Sequence, residues 1–361
     1  MKVRAFVEDD VPAAAALFAR ASHDQRWTTR GECERYFRHT VFYHPWRNLD
    51  VPSWVVEDAG RLVGFYLLMP RPMSLRGRTL VAAVGCQIAV DPAPRYALAA
   101  LKLLQACLAG PQDLTFADGA HERSRRMWLA IGGQAPALLN LVWTRLLRPA
   151  RYAVSLLEDQ GIVAPWLART TRPLTAPADA LAVRLKWNRC LSGNDKLIER
   201  DLDASTMLAN LSLFMNGRAL LPIYESKSLA WVLEHAARKT SLGYWRARAV
   251  ELKGQMLGWY VYYVQQGRVS EVLQIAARDG TFEVVLRSLL ADAWRQGAAA
   301  VRGRVDPRYI DELSAHHCWF RREGTSVLVH SRHEEVLDAL RRGDTFLSRL
   351  EGEWYLRFRD G

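Results

Sequence analysis

Lysine is scarce in this chain: 42 of its 49 basic residues are arginine. The net charge of +11 therefore rests on planar guanidinium groups suited to bidentate contact with carboxylate or phosphate. The arginines come in scattered pairs such as Arg125-Arg126, Arg321-Arg322 and Arg341-Arg342. Such spacing favours anionic ligands in general and marks out no dedicated nucleic-acid surface. Cysteine is also sparse. Cys33, Cys86, Cys107, Cys190 and Cys318 are odd in number and form no Cys-x-x-Cys pair, which excludes a disulfide framework and a zinc knuckle. No apolar run reaches the ~18–20 residues that cross a bilayer. The opening MKVRAFVEDDVP carries acids where a signal peptide needs its apolar stretch, so a cytoplasmic protein is expected. The motifs G-x-S-x-G, H-E-x-x-H and G-x-x-x-x-G-K-[ST] do not occur. His316-His317-Cys318 offers adjacent side chains that diverge and no second cluster to complete a coordination shell, so no metal is expected.

What the chain does have is an internal repeat. Its 361 residues, half of them hydrophobic, leave room for two domains. GRLVGFYLL at 60–68 matches GQMLGWYVY at 254–262; the glycines, the tyrosine and the aromatic before it coincide. IAVD at 88–91 matches IAAR at 275–278, and LKLLQACLAG at 101–110 matches SLLADAWRQG at 288–297. Three matches in one order, each with the same strand–strand–helix reading, imply duplication of a domain.

The first copy reads as a strand at 3–7, helices at 10–21 and 29–43, and strands near 53–58, 61–69 and 79–90. A helix at 95–109, a strand at 114–118 and a helix at 121–131 follow. The second copy reads as strands near 245–252, 255–265 and 268–277, a helix at 281–296 and a strand at 299–305. A short helix near 308–316 and a hairpin over 318–330 close it. The Pro- and Thr-rich TTRPLTAPADA at 170–180 suits a connector. The expected organisation is a mixed α/β (α+β) protein with domains at 1–148 and 196–361 joined by 149–195.

Helix pair, antiparallel hairpin, strand, turn and helix, then strand and helix resembles the GNAT-type N-acyltransferase superfamily. Two copies in one chain are similar to mycothiol synthases, Fem-type peptidyltransferases and N-myristoyltransferases. That resemblance implies tandem GNAT-like domains, each a twisted, mostly antiparallel sheet flanked by helices. The superfamily signature Q/R-x-x-G-x-G/A follows a strand that often ends in Val-x-Pro. Here Val90-Asp91-Pro92 leads in, and Arg95, Tyr96, Ala97, Leu98, Ala99 and Ala100 occupy the signature. Arg95 and Ala100 fit, while Leu98 stands where the first glycine belongs. Unpaired amides at a helix start, aided by its dipole, hold a diphosphate; glycine allows close approach, and leucine adds bulk. The stretch reads either as a coenzyme turn with one substitution or as a strand-to-helix corner that packs. The resemblance further implies that the strand before it bends away from its neighbour, freeing backbone of Gln87, Ile88, Ala89 and Val90 for a pantetheine arm. A fully paired, buried strand is the alternative.

A second family pattern, N-x-x-A-x-x-L-Y-x-x-x-G-F, keeps its spacing over 121–133 but few identities. Trp128 replaces the tyrosine whose hydroxyl protonates the departing thiolate, and an indole N–H is a donor of very weak acidity. Trp128 and Met127 read as core residues. In the second copy no coenzyme signature aligns with Arg278-Asp279-Gly280, an ordinary turn. Glu271, on the strand feeding it, lies near where family members hold a carboxylate base, and it equally suits a surface ion pair. The resemblance thus implies acetyl-CoA or a longer acyl-CoA as co-substrate, an amine acceptor and no metal. A Fem-like transferase using aminoacyl-tRNA and a catalytically inactive binding protein are the two alternatives.

Overall fold

The computed structural model describes residues 1–21, 30–47, 51–162, 164, 197–215 and 217–356. The first six strands are β1 (Lys2–Ala5), β2 (Trp54–Asp58), β3 (Arg61–Leu75), β4 (Arg78–Val90), β5 (Leu114–Ala120) and β6 (Leu141–Leu146). After them come β7 (Leu197–Asp201), β8 (Leu220–Pro222), β9 (Tyr244–Leu252), β10 (Gln255–Val264) and β11 (Val269–Ala277). The last three are β12 (Ala300–Arg304), β13 (Trp319–Arg322) and β14 (Ser326–Ser331). The α-helices are α1 (Val11–Ala21), α2 (Arg30–Phe37), α3 (Ala99–Leu108), α4 (Glu122–Ala130) and α5 (Pro149–Asp159). The second half of the chain adds α6 (Ala204–Met215), α7 (Ser226–Ala237), α8 (Phe282–Arg295), α9 (Ile310–Ala315) and α10 (Glu334–Arg342).

Two compact units result: Met1–Leu139 with Gly217–His235 and Gly324–Gly361, and Asn140–Asn216 with Ala236–Glu323. The first holds a sheet ordered β1-β2-β3-β4-β5-β14, with β8 on the far part of β3. The second holds a sheet ordered β13-β6-β12-β11-β10-β9-β7. In each sheet one pair is parallel, β4 with β5 and β11 with β12, and the other neighbours are antiparallel. Both sheets are flanked by helices, which is the mixed, mostly antiparallel α/β organisation expected from the sequence.

The boundary expected at residue 148 does not separate the sheets. Strand β6 lies before it yet pairs with β12 and β13, while β14, from the far end of the chain, pairs with β5. The hairpin expected over 318–330 is likewise replaced: β13 and β14 lie in different sheets. A strand's partner is set by which edge and face it complements, and short apolar strands advertise neither in sequence. Of the expected connector, 149–159 is helix α5, and 163 and 165–195 lie outside the described residues.

The duplication is visible rung by rung. In the first sheet β3 pairs Leu67 with Gln87 and Leu68 with Gly85, so Cys86 is the extra residue of a bulge. In the second, Val261 pairs with Gln274 and Tyr262 with Val272, which leaves Leu273 as the extra residue at the corresponding place. The parallel pairs also correspond: Ala82–Val84 beside Leu114–Phe116, and Val269–Glu271 beside Ala300–Arg302.

Strand β3 runs through Pro70 and Pro72, past the Met69 at which its apolar run ends. Proline cannot donate to a ladder and is tolerated only on an unpaired edge. That edge exists here, because β2 pairs with β3 only as far as Tyr66 and β8 only from Met73.

One face of the first sheet carries an apolar cluster built from Tyr66, Leu68, Ala83 and Ala117 with Leu103, Leu104 and Cys107 of α3 and Trp128 of α4. Trp128 is 1% exposed and a Cβ on Gly133 would overlap its indole, so it is a core residue. In the second unit α8 supplies Phe282, Val285, Leu286, Leu289 and Leu290. Its buried Asp292 accepts from Arg246 at 2.6 and 3.0 Å and from the Tyr262 hydroxyl at 2.7 Å. Burial alone would raise this carboxyl; the Arg246 and Tyr262 donors hold it below the usual carboxylate range.

Candidate functional site

The first unit contains a fork. Strands β4 and β5 pair across Ala82–Val84 and Leu114–Phe116 and no further. From Gly85 to Val90 the ladder of β4 runs to β3 alone, and among the described residues no strand joins its other edge. Gln87, Ile88 and Val90 are half-buried and Ala89 is buried along this stretch. A bulge at Cys86 adds local twist where the strands part.

Beyond the fork the chain turns at Asp91, which accepts from Arg61 at 2.6 Å and from the Ala93 amide at 3.1 Å. A 3-10 turn over Pro94–Tyr96 leads to α3. The helix closes first from the Lys102 amide onto the Leu98 carbonyl at 3.1 Å, so the amides just before it form the open end. Leu98 has φ −87° and ψ −4°, an ordinary right-handed conformation in which leucine needs none of glycine's freedom. Its side chain is 60% exposed and plugs nothing. Arg95 is exposed and lies over the Tyr96 ring at 4.8 Å, Ala97 is exposed, and Tyr96 and Ala99 anchor the turn in the core with Ala100 half-buried.

A second cluster went unnoticed in the sequence. Arg71 of β3 is 3% exposed and donates to the Tyr355 hydroxyl, to Tyr224 Oη at 3.4 Å and to the Leu350 carbonyl at 3.4 Å. Trp46 covers it at 4.5 Å. Tyr224 in turn donates to Glu351 Oε1 at 2.7 Å. Asp118, two residues beyond the last β4–β5 rung, accepts the Glu353 amide at 2.7 Å. Arg71, Asp118, Glu351 and Glu353 are all buried. The available signal was a charge inside an apolar strand, as in MPRPM (69–73) and TFADGA (115–120).

Next to this cluster, buried His44 accepts the Trp46 amide through Nδ1 at 3.2 Å. Burial, with the neighbouring Arg47 and Arg71 charges, pushes its pKa down to about 4. Between about 6.5 and 4 only the unfolded chain takes up this proton, so stability is full above that window and falls with pH through it. Denaturant titrations should show a loss on the order of 3 kcal/mol on acidification to pH 4, and His44→Gln should remove that part of the pH dependence.

The second unit has a corresponding fork after Glu271 and Arg302. Glu271, the base candidate, sits on that last rung with Arg302 Nη1 at 3.3 Å from its Oε1. Arg268 pairs instead with Glu158 and Asp159, each at 2.6 Å. The turn before α8 is closed on itself, the Thr281 hydroxyl donating to Leu257 and Arg278 carbonyls at 2.8 Å. Tyr309 stacks on Phe282 at 3.8 Å as part of the core. No group of residues able to hold a metal ion is found among the described residues, and no described helix is long and apolar enough to cross a membrane.

The overall arrangement of these elements has counterparts among solved structures. A crystal structure from Enterococcus faecalis V583 titled "Probable N-Acyltransferase" matches with a TM-score of 0.57 at 10% identity, over 91% of this chain and 72% of that one. The fold is of the GNAT type. GCN5-related N-acetyltransferases from Anabaena variabilis and Kribbella flavida match with TM-scores of 0.55 and 0.54 at 11% and 13% identity. They cover 94% and 91% of this chain and 74% and 71% of theirs. No family model and no curated protein sequence matches the chain. The GNAT-type architecture thus stands on topology, with the duplication and the fork read from this chain's own residues.

Proposed function

We propose that the protein is an acyl-CoA-dependent N-acyltransferase whose first unit holds the coenzyme. One observation carries this reading: β4 leaves β5 after Val84 and, among the described residues, has no strand on that side to Val90. Free backbone there suits the amides of a pantetheine arm, and the open end of α3 beyond it suits a diphosphate. Arg95 lies beside that open end, and the exposed Leu98 leaves its amides reachable. The reaction is attack of an amine on the thioester carbonyl, with strand amides facing the developing oxyanion. Glu271 would serve as base only with its Arg302 contact opened. The structural neighbours named as N-acetyltransferases agree with this chemistry.

Thermal unfolding with acetyl-CoA, longer acyl-CoAs and charged tRNA tests it. A ligand at 100 times its dissociation constant adds about 2.7 kcal/mol, expected here for one or more acyl-CoAs. Stabilisation by charged tRNA alone, or by nothing, would remove the coenzyme from this fork. Arg95→Ala should weaken the acyl-CoA that binds by about tenfold, the size of one charge-assisted hydrogen bond of about 1.5 kcal/mol, measured by calorimetric titration.

A further inference from the structure

Alternation along the strands sorts the two faces of the second sheet. Val301, Val305 and Trp143 turn to the α8 cluster, and a Cβ on Gly303 would overlap the Trp143 indole. Side chains one residue along each strand point to the opposite face, and residues paired directly across a ladder share a face. Arg302 pairs with Thr144 and Arg304 with Val142. On the other side of β6, Thr144 pairs with Trp319 and Val142 with Arg321. The face away from α8 therefore carries two rows, Arg302–Thr144–Trp319 and Arg304–Val142–Arg321. Neighbouring strands lie about 4.8 Å apart and the rows about 7 Å apart, so three guanidinium groups border one patch.

A polar atom in the middle of this patch has nothing to bond. Thr144 is 3% exposed, and among the described residues its Oγ1 has no hydrogen-bond partner; nor has Arg302 Nε. A buried hydroxyl without a partner costs stability. The first copy shows that packing does not require one. Its rungs Ala82–Val84 with Leu114–Phe116 correspond to Val269–Glu271 with Ala300–Arg302. Phe116 thus stands where Arg302 does, and Val329, paired with Phe116, stands where Thr144 does. Both are fully buried. The same rung is apolar in one copy and carries a guanidinium and an unpartnered hydroxyl in the other. The patch opens at β13, which ends the sheet and where Trp319 is 56% exposed and Arg321 is exposed.

We propose that this face of the second unit binds a phosphate monoester. Guanidinium groups arriving from two strands offer a tetrahedral oxyanion donors from several directions, where a planar carboxylate is served by a single arginine fork. The Thr144 hydroxyl donates to a further phosphate oxygen, and the Trp319 ring receives the group to which the phosphate is attached. Glu271 holds Arg302 from β11 at 3.3 Å and fixes that guanidinium at the border of the patch. All of these residues belong to the second unit. The site goes beyond the coenzyme reading of the first unit and stands or falls separately from it.

Calorimetric titration of the full chain tests this, with phenyl phosphate, inorganic phosphate and benzoate as probes. Phenyl phosphate should bind at one site per chain, about tenfold or more tighter than benzoate. Arg321→Ala, at the exposed edge, should weaken it about tenfold, the size of one charge-assisted hydrogen bond. Thr144→Val should also weaken it while keeping or raising the melting temperature, since the first copy packs valine on this rung. Trp319→Ala should weaken phenyl phosphate and leave inorganic phosphate unchanged. Arg95→Ala, in the first unit, should leave every titration as it was. No binding of either phosphate, benzoate as tight as phenyl phosphate, or an affinity unmoved by both Arg321→Ala and Thr144→Val would overturn the assignment. So would loss of the titration in Arg95→Ala, which would move the phosphate to the first unit.

Discussion

Residues 1–162 and 197–361 produced separately should each fail to fold cooperatively, and co-expression should restore the protein. Each piece lacks a strand of its own sheet. The second half loses β6, which stands between β12 and β13 and buries Val142, Trp143 and Leu146. At about 1.5–3 kcal/mol for each large apolar side chain removed from water, that strand alone approaches the 5–15 kcal/mol by which a domain is stable. The first half loses β14, whose Val327, Leu328 and Val329 are buried, and leaves the edge of β5 open to aggregation. Soluble yield, circular dichroism and amide exchange would report the result. A separate first half with cooperative melting and protected β5 amides would show that the exchanged strand is dispensable.

This exchange marks where reading the sequence stops. The duplication was legible because glycines, aromatics and turn residues recur at matched offsets, and the bulges at Cys86 and Leu273 each fall two residues before the second matched segment. The pairing of β6 was not legible: LVWTRL is an apolar strand with nothing local to say which of two similar sheets it completes. The proposed coenzyme turn was half legible. Leu98 looks prohibitive where the family has glycine, yet the objection depends on a backbone dihedral and a side-chain direction, and neither is a property of residue type. Least legible was the stretch SRLEGEWY (348–355). It carries alternating charges, yet Arg349, Glu351 and Glu353 are buried. Ser348 donates to Glu351 from within the segment, and the segment's arrival beside β3 and β5 adds the Tyr224 hydroxyl to Glu351 and Asp118 to the Glu353 amide.

Arg71→Ala should cost about 3–5 kcal/mol, the usual result of removing one member of a buried charge network. The guanidinium leaves behind the Leu350 carbonyl and the Tyr355 and Tyr224 hydroxyls it contacts, with buried Glu351 accepting from Tyr224 beyond them. It also vacates the space beneath Trp46. The carboxylate then lacks its nearest compensating cation along that path, in surroundings too dry to screen it. Arg71→Met with Glu351→Gln should be far less harmful than either truncation, because removing both charges together spares the uncompensated one. A double-mutant cycle by urea denaturation measures this coupling. Additive losses would mean that Arg71 and Glu351 do not communicate through Tyr224. In Arg71→Ala the amides of 348–355 should also exchange faster than those of β3 and β4, since this segment is held largely by side chains where the strands keep their ladders.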